Sequence, residues 1–194
     1  MNFLAHVYLS GSNDKIAIGN LIGDRVKGNK IKLLPKEIQS GVTFHRLIDH
    51  FTDHNQIFRE CVIKLFPKYR HFSRVIIDMY FDHFLAKNWN YYHNLSLNKF
   101  SNEFYKKIIK IAPEFNQDIE RFINALVKYN WFGHYKTTFG LYIVLKQMEK
   151  RTKFTSNFGA SVKDLNQNYE YFEIRFFQFM NEIIKFTKTK IKDL

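Results

Sequence analysis

The apolar residues of this chain recur at spacings of three and four almost from end to end, and only three prolines, Pro35, Pro67 and Pro113, punctuate the pattern. That period places apolar side chains along one side of a helix. No stretch shows the sustained alternation, bounded by tight-turn dipeptides, that a strand needs. The expected fold is therefore all-α, a single domain over residues 1–194 with seven to nine helices. The segments read as Phe3 to Leu9, then Asp14 to Lys27 closed by Gly28 as a C-cap, Pro35 to His54, Gln56 to Phe66, and Phe72 to Tyr92. Ser96 caps a helix reaching Ile111, Pro113 begins the next, and two more lie near Tyr135 to Lys150 and Val162 to Phe186. Residues 187–194 carry Lys188, Lys190 and Lys192 and read as a frayed basic tail.

Composition narrows the class. With 45% hydrophobic and 18% aromatic residues, the chain is too apolar to remain disordered. The single cysteine, Cys61, excludes an internal disulfide and any cysteine-based zinc cluster, and reads as core filling, as do Met79 and Met148. The longest apolar run, Leu141 to Leu145, falls far short of the ~20 residues that span a bilayer. The opening MNFLAHVYLSGS lacks the basic stretch of a signal peptide. A soluble, reduced, cytoplasmic protein is expected. The formal charge of +12 suits an acidic protein, a nucleic acid or an anionic membrane surface, and equally suits simple enrichment in Lys, Asn and Ile.

The informative residues are polar groups embedded in apolar helix faces. In Val75 to Leu85, eight of eleven residues are apolar and the exceptions are Asp78, Asp82 and His83. Asp78 and Asp82 are one helical turn apart, and burying two such carboxylates costs several kcal/mol unless a cation compensates. A metal would serve, and so would Arg74 or Arg46. In Phe44 to Asp53, His45 and Asp49 share a face, as do Asp49 and Asp53, and His50 with His54. Neutral imidazole and ionised carboxylate at that spacing can both ligate a divalent ion. In Gly19 to Gly28, Asn20 and Asp24 are again four apart, and Gly19 and Gly23 permit close backbone approach at ~1 kcal/mol each in helix propensity. His6 lies within Phe3 to Tyr8, where a hydrogen-bonded core histidine is the plainer reading. Nitrogen and oxygen donors without thiols suit manganese, magnesium or iron better than structural zinc. Chemistry alone reaches a helical, metal-dependent phosphoric-ester hydrolase; the set resembles the HD-type phosphohydrolases, although their adjacent His-Asp pair is not plainly present, Asp49-His50 and Asp82-His83 having the reverse order.

The runs MNFLAH, GNLIGDRVKG, FHRLIDHFTD and DMYFDHFLAKNW resemble, in order, the acyl carrier protein phosphodiesterase family, a divergent HD-type branch. Tyr129, Trp131, Tyr135, Met148 and Arg151, and the aromatic run from Tyr169 to Phe179, extend the resemblance more loosely. It implies an HD-domain-like hydrolase that uses a divalent metal, most simply Mn2+ with Mg2+ or Fe2+ as options. The substrate would be holo-acyl carrier protein and the products apo-carrier and 4′-phosphopantetheine. It implies Asp24, His45, Asp49 and Asp82 as metal residues, His83 or His6 as proton donor to the leaving serine oxygen, and Arg46 as a phosphate contact. Asp24 is also a catalytic candidate in its own right. Because carrier proteins are acidic, Lys27, Lys30, Lys32 and Lys36 become the first candidates for a docking surface. No nucleic-acid partner and no membrane insertion are expected. The competing substrate is a nucleotide or another small phosphodiester. A nucleic-acid-binding helical protein would leave the buried acids unexplained.

Overall fold

A computed structural model describes residues 2–150 and 157–194; Arg151 lies outside them. Twelve α-helices and no strand occur among the described residues. They are α1 Phe3–Leu9, α2 Asp14–Ile22, α3 Lys36–His54, α4 Gln56–Tyr69, α5 Ser73–Lys87, α6 Trp89–Tyr92, α7 Leu97–Ile111, α8 Gln117–Lys128, α9 Trp131–His134, α10 Thr138–Glu149, α11 Ser161–Gln167 and α12 Tyr169–Lys190. Asparagine supplies most of the starts. Asn13, Asn55 and Asn116 accept backbone N–H groups of α2, α4 and α8, and Ser96 caps α7 as expected. No described helix is long and apolar enough to cross a membrane.

The all-α expectation holds, and the boundaries move for identifiable reasons. Two helices read as continuous are broken at an asparagine. Asn88 Nδ2 donates to Phe84 O and Asn168 Nδ2 donates to Asp164 O, each at 3.0 Å, so the side chain competes for the helix's own carbonyls and the chain turns. The helix expected to reach Lys27 stops at Ile22; a 3₁₀ turn, Gly23–Arg25, follows, and Gly28, at φ +54°, opens a second one, Gly28–Leu33. Pro67 sits inside the last turn of α4, on its exposed side, where the carbonyl that loses its partner can be hydrated. At the other end α12 continues to Lys190 with Thr187 buried, so the expected loose tail is helical over most of its length.

The core is built around α5, which is buried nearly all the way round: Ile76, Ile77, Met79, Tyr80, Phe81, Phe84 and Leu85 are all fully enclosed. Across it lies α12, burying Phe172, Phe176, Phe179, Met180 and Ile183 at helical spacing. Cys61 is buried and free. The closest helix pair is α2 against α3. A Cβ on Gly19 would fall 2.2 Å from Ile38 O, and one on Gly41 would fall 2.3 Å from Ile16 O, so only paired glycines let these backbones touch. That contact presses Asn20 against the His45 turn of α3.

Candidate metal centre

Three elements meet at the site. From α1 comes His6, from α2 and the turn after it come Asn20 and Asp24, and from α3 come His45 and Asp49. The rings of His6 and His45 stack with centroids 4.1 Å apart and an interplanar angle of 22°. Gly23 makes room for them, since a Cβ there would lie 2.3 Å from the His45 ring.

Asn20, fully buried, fixes the chemistry of both imidazoles. Its Nδ2 donates to His6 O and to Ser10 Oγ, each at 2.8 Å, and Ser10 Oγ in turn donates to His6 O. The amide oxygen is thereby left as an acceptor 2.6 Å from His6 Nδ1, which must carry the hydrogen. His45 Nδ1 stands 2.7 Å from the backbone oxygen of Asn20 and must donate as well. Both rings therefore turn Nε2 toward the carboxylates. His6 Nε2 is 3.3 Å and His45 Nε2 3.0 Å from the two oxygens of Asp49, and His45 Nε2 is 3.2 Å from Asp24 Oδ1. Donor atoms of His6, His45 and Asp49 all fall within 4.8 Å of one another.

Electrostatics follow from this packing. Burial, then the neighbouring His45, lowers the pKa of His6 to about 4. Burial pulls on His45 too, but hydrogen bonds to Asp24 and Asp49 raise it to about 9. Burial opposes ionisation of Asp49, yet the two imidazoles hold its carboxyl well below the usual range. The hydrogen bond from His45 lowers Asp24. Without a metal, the His45 imidazolium balances Asp24 and Asp49; once its Nε2 proton is displaced, the nitrogen and oxygen donors of the set fit a hard or borderline divalent cation.

A cleft of about 400 Å³ opens over this cluster, walled by Phe3, Val75 and Met148 and edged by Asp53, Arg74 and Asp78. Arg74 pairs with Asp53 across the rim. Met148, read as core filling, is a wall of the cleft.

The structure separates the remaining candidates from this cluster. Asp82 is fully buried one turn deeper on α5, and its carboxylate accepts the backbone N–H of Asn2 at 3.2 Å, Leu4 at 2.8 Å and Ala5 at 3.3 Å. It anchors the start of α1, so it is a structural cap and not a ligand facing the cleft. His83 is committed elsewhere, Nδ1 donating to Tyr135 O and Nε2 meeting Tyr169 Oη, both at 2.8 Å, which places it away from any leaving group in the cleft. Arg46 turns outward and donates Nη2 to Val26 O at 3.3 Å, tethering the turn that carries Asp24 instead of reaching a phosphate. Lys27, Lys30, Lys32 and Lys36 are exposed on the segment that follows Asp24. Sequence reasoning missed Arg74 as a cleft residue and Asn20 as the group that orients both histidines. The signal for Asn20 was a lone amide among Ile18, Leu21 and Ile22.

An all-α protein with two buried imidazoles and two carboxylates converging under an open cleft belongs to the class of helical proteins with a His/Asp centre. The family model for acyl carrier protein phosphodiesterase matches residues 1–183, and the chain belongs to that family. It is 31% identical over 194 residues to the acyl carrier protein phosphodiesterase of Pectobacterium atrosepticum, covering 98% of this chain and 99% of that protein. The Klebsiella pneumoniae protein of the same name is 30% identical over 98% of this chain and 99% of its own length, and the Escherichia coli one 29% identical over 92% and 93%. No solved structure matches the chain.

Proposed function

We propose that this chain is a cytoplasmic, metal-dependent phosphoric diester hydrolase. It cleaves the serine–phosphopantetheine bond of holo-acyl carrier protein to give apo-carrier and 4′-phosphopantetheine. The family match and the names of its relatives support the substrate. One observation carries the metal: both imidazoles have Nδ1–H engaged by Asn20, so two Nε2 atoms and carboxylate oxygens face one another at 3.0–3.3 Å. The His45 imidazolium supplies the positive charge those carboxylates need when no metal is bound, and a cation held by His6, His45, Asp49 and Asp24 would take its place by displacing the Nε2 proton. Manganese is the first choice, with magnesium or iron as alternatives.

A divalent ion there supplies Lewis acidity, neutralising phosphate charge and lowering the pKa of a water it binds. The chain supplies the rest. Asn20 fixes the ligating tautomers. Arg74, at the rim, binds a phosphate oxygen once the substrate competes with Asp53 for its guanidinium. Asp78, whose pKa burial raises, faces the same cleft and hands a proton to the departing serine oxygen.

The test is intact-mass analysis of an acidic holo-acyl carrier protein incubated with the enzyme, with manganese or with a chelator. Loss of the phosphopantetheine mass only with manganese supports the reading. An unchanged carrier with manganese bound moves the substrate to nucleotides or other small diesters. No conversion and no bound metal overturns the reading altogether.

A further inference from the structure

The bond to be broken lies at the carrier's own serine and not at the far end of its flexible arm. A carrier cannot therefore reach the cleft by extending that arm. Its folded surface must press against the cleft mouth, and the docking face must border Asp24. Three positions after Asp24 in the chain begins the stretch from Lys27 to Lys36, which holds four lysines and no acid in ten residues.

That stretch is a formed surface. Its 3₁₀ turn, Gly28–Leu33, is pinned by Ile31 and Leu34, both packed on the core, and by Gln39 Nε2 donating to Leu34 O at 2.7 Å. Pinning Ile31 and Leu34 inward turns Leu33 outward, where it is 84% exposed among the lysines. The basic groups around it are set apart by their density, four in ten residues with no acid among them. Lys15, Arg25, Lys68, Arg74, Lys87 and Lys107 all close ion pairs. Lys27, Lys30, Lys32 and Lys36 close none among the described residues. Lys36 also stands at the first position of the 19-residue α3, where the helix dipole disfavours a cation. An apolar side chain held out within a ring of unspent positive charge fits an acidic protein surface with an apolar spot at its centre.

Resting on the functional reading above, we propose that Lys27, Lys30, Lys32 and Lys36 around Leu33 form the docking face for the acidic carrier protein that bears the scissile phosphodiester on a surface serine. The lysines steer and register the carrier, Leu33 seats in it, and the serine is delivered to the adjoining cleft.

The experiment measures steady-state conversion of holo-acyl carrier protein by the manganese-loaded full chain across a salt series. The loop variant is Lys27→Glu/Lys30→Glu/Lys32→Glu/Lys36→Glu, and Leu33→Ala is a second. The control reverses the same number of charges on α12 and its end, at Lys185, Lys188, Lys190 and Lys192, which are exposed and outside the proposed face. Circular dichroism checks that each variant is folded. The loop variant should lose about tenfold or more in kcat/KM through KM, and its salt slope should flatten or change sign, since four reversed charges repel the acidic carrier and salt screens that repulsion. Leu33→Ala should raise KM without changing the salt slope, and the α12 control should behave as wild type. A loop variant that matches wild type, or an α12 control that loses as much, overturns the docking face while leaving the enzyme reading intact. A wild-type enzyme that leaves the carrier unchanged overturns the functional reading and the docking face with it.

Discussion

Replacing Asp82 by alanine separates a ligand from a cap. The carboxylate satisfies the N–H groups of Asn2, Leu4 and Ala5, at 3.2, 2.8 and 3.3 Å, and alanine offers nothing in its place. Orphaned buried donors cost ~1 kcal/mol or more each, so the loss should be about 3 kcal/mol. For a chain of this size that corresponds to a fall in Tm of roughly 6–12 °C. The penalty should also depend on pH. Burial, partly offset by nearby positive charge and those N–H groups, raises Asp82 to about 7 from its ordinary 3.8. A carboxyl with a raised folded-state pKa lends most stability below its unfolded value, and loses it as pH climbs through the folded one. The gap between wild type and Asp82→Ala, read by calorimetry on the metal-free protein, should therefore be wider at pH 5 than at pH 8. Asp82→Asn, which keeps one acceptor oxygen and cannot ionise, should recover part of the Tm and lose the pH trend. A Tm within about 2 °C of wild type at pH 5, together with lost manganese binding in titration calorimetry, would refute the cap and return Asp82 to the ligands.

Gly23→Ala should push the His45 ring out of register, because its Cβ would lie 2.3 Å away; manganese affinity should drop at least tenfold while helix content by circular dichroism stays close to wild type. Asn20→Leu should weaken manganese binding by about 10- to 100-fold, as expected when an orienting group is lost, and unchanged affinity would mean the tautomers are set elsewhere. Asp24→Ala should abolish turnover with helix content preserved; retained turnover would remove Asp24 from the centre. His83→Ala should lower Tm by orphaning Tyr135 O and leaving a void beside Tyr169, while kcat of the folded fraction is kept; a selective loss of kcat would restore it as the proton donor.

The helices were legible because their apolar spacing is regular, and the breaks were not, because they depend on where one amide points. Asn88 and Asn168 read like any polar helix residue until their side chains are seen on Phe84 O and Asp164 O. The centre was legible where both partners lie on one helix: His45 and Asp49 needed only the one-turn rule. The same rule misled at Asp78 and Asp82. They are one turn apart, but one turn is the distance from the cleft rim to the buried start of α1, so one opens on the site and the other closes a helix. No local pattern announces that difference, since it is made by a segment about 78 residues away.

That separation has a consequence for synthesis. While the chain emerges from the ribosome, α1 and its His6 come out with only the local Asn2 cap, because the carboxylate that accepts the Leu4 N–H lies 78 positions later. At roughly 5–20 residues per second, α1 waits about 4 to 16 s before Asp82 appears. A seven-residue helix with exposed Leu4, Val7 and Leu9 does not hold its shape alone over that time. A segment made well before α5 thus settles only after it, and the centre closes only once α5 has been delivered.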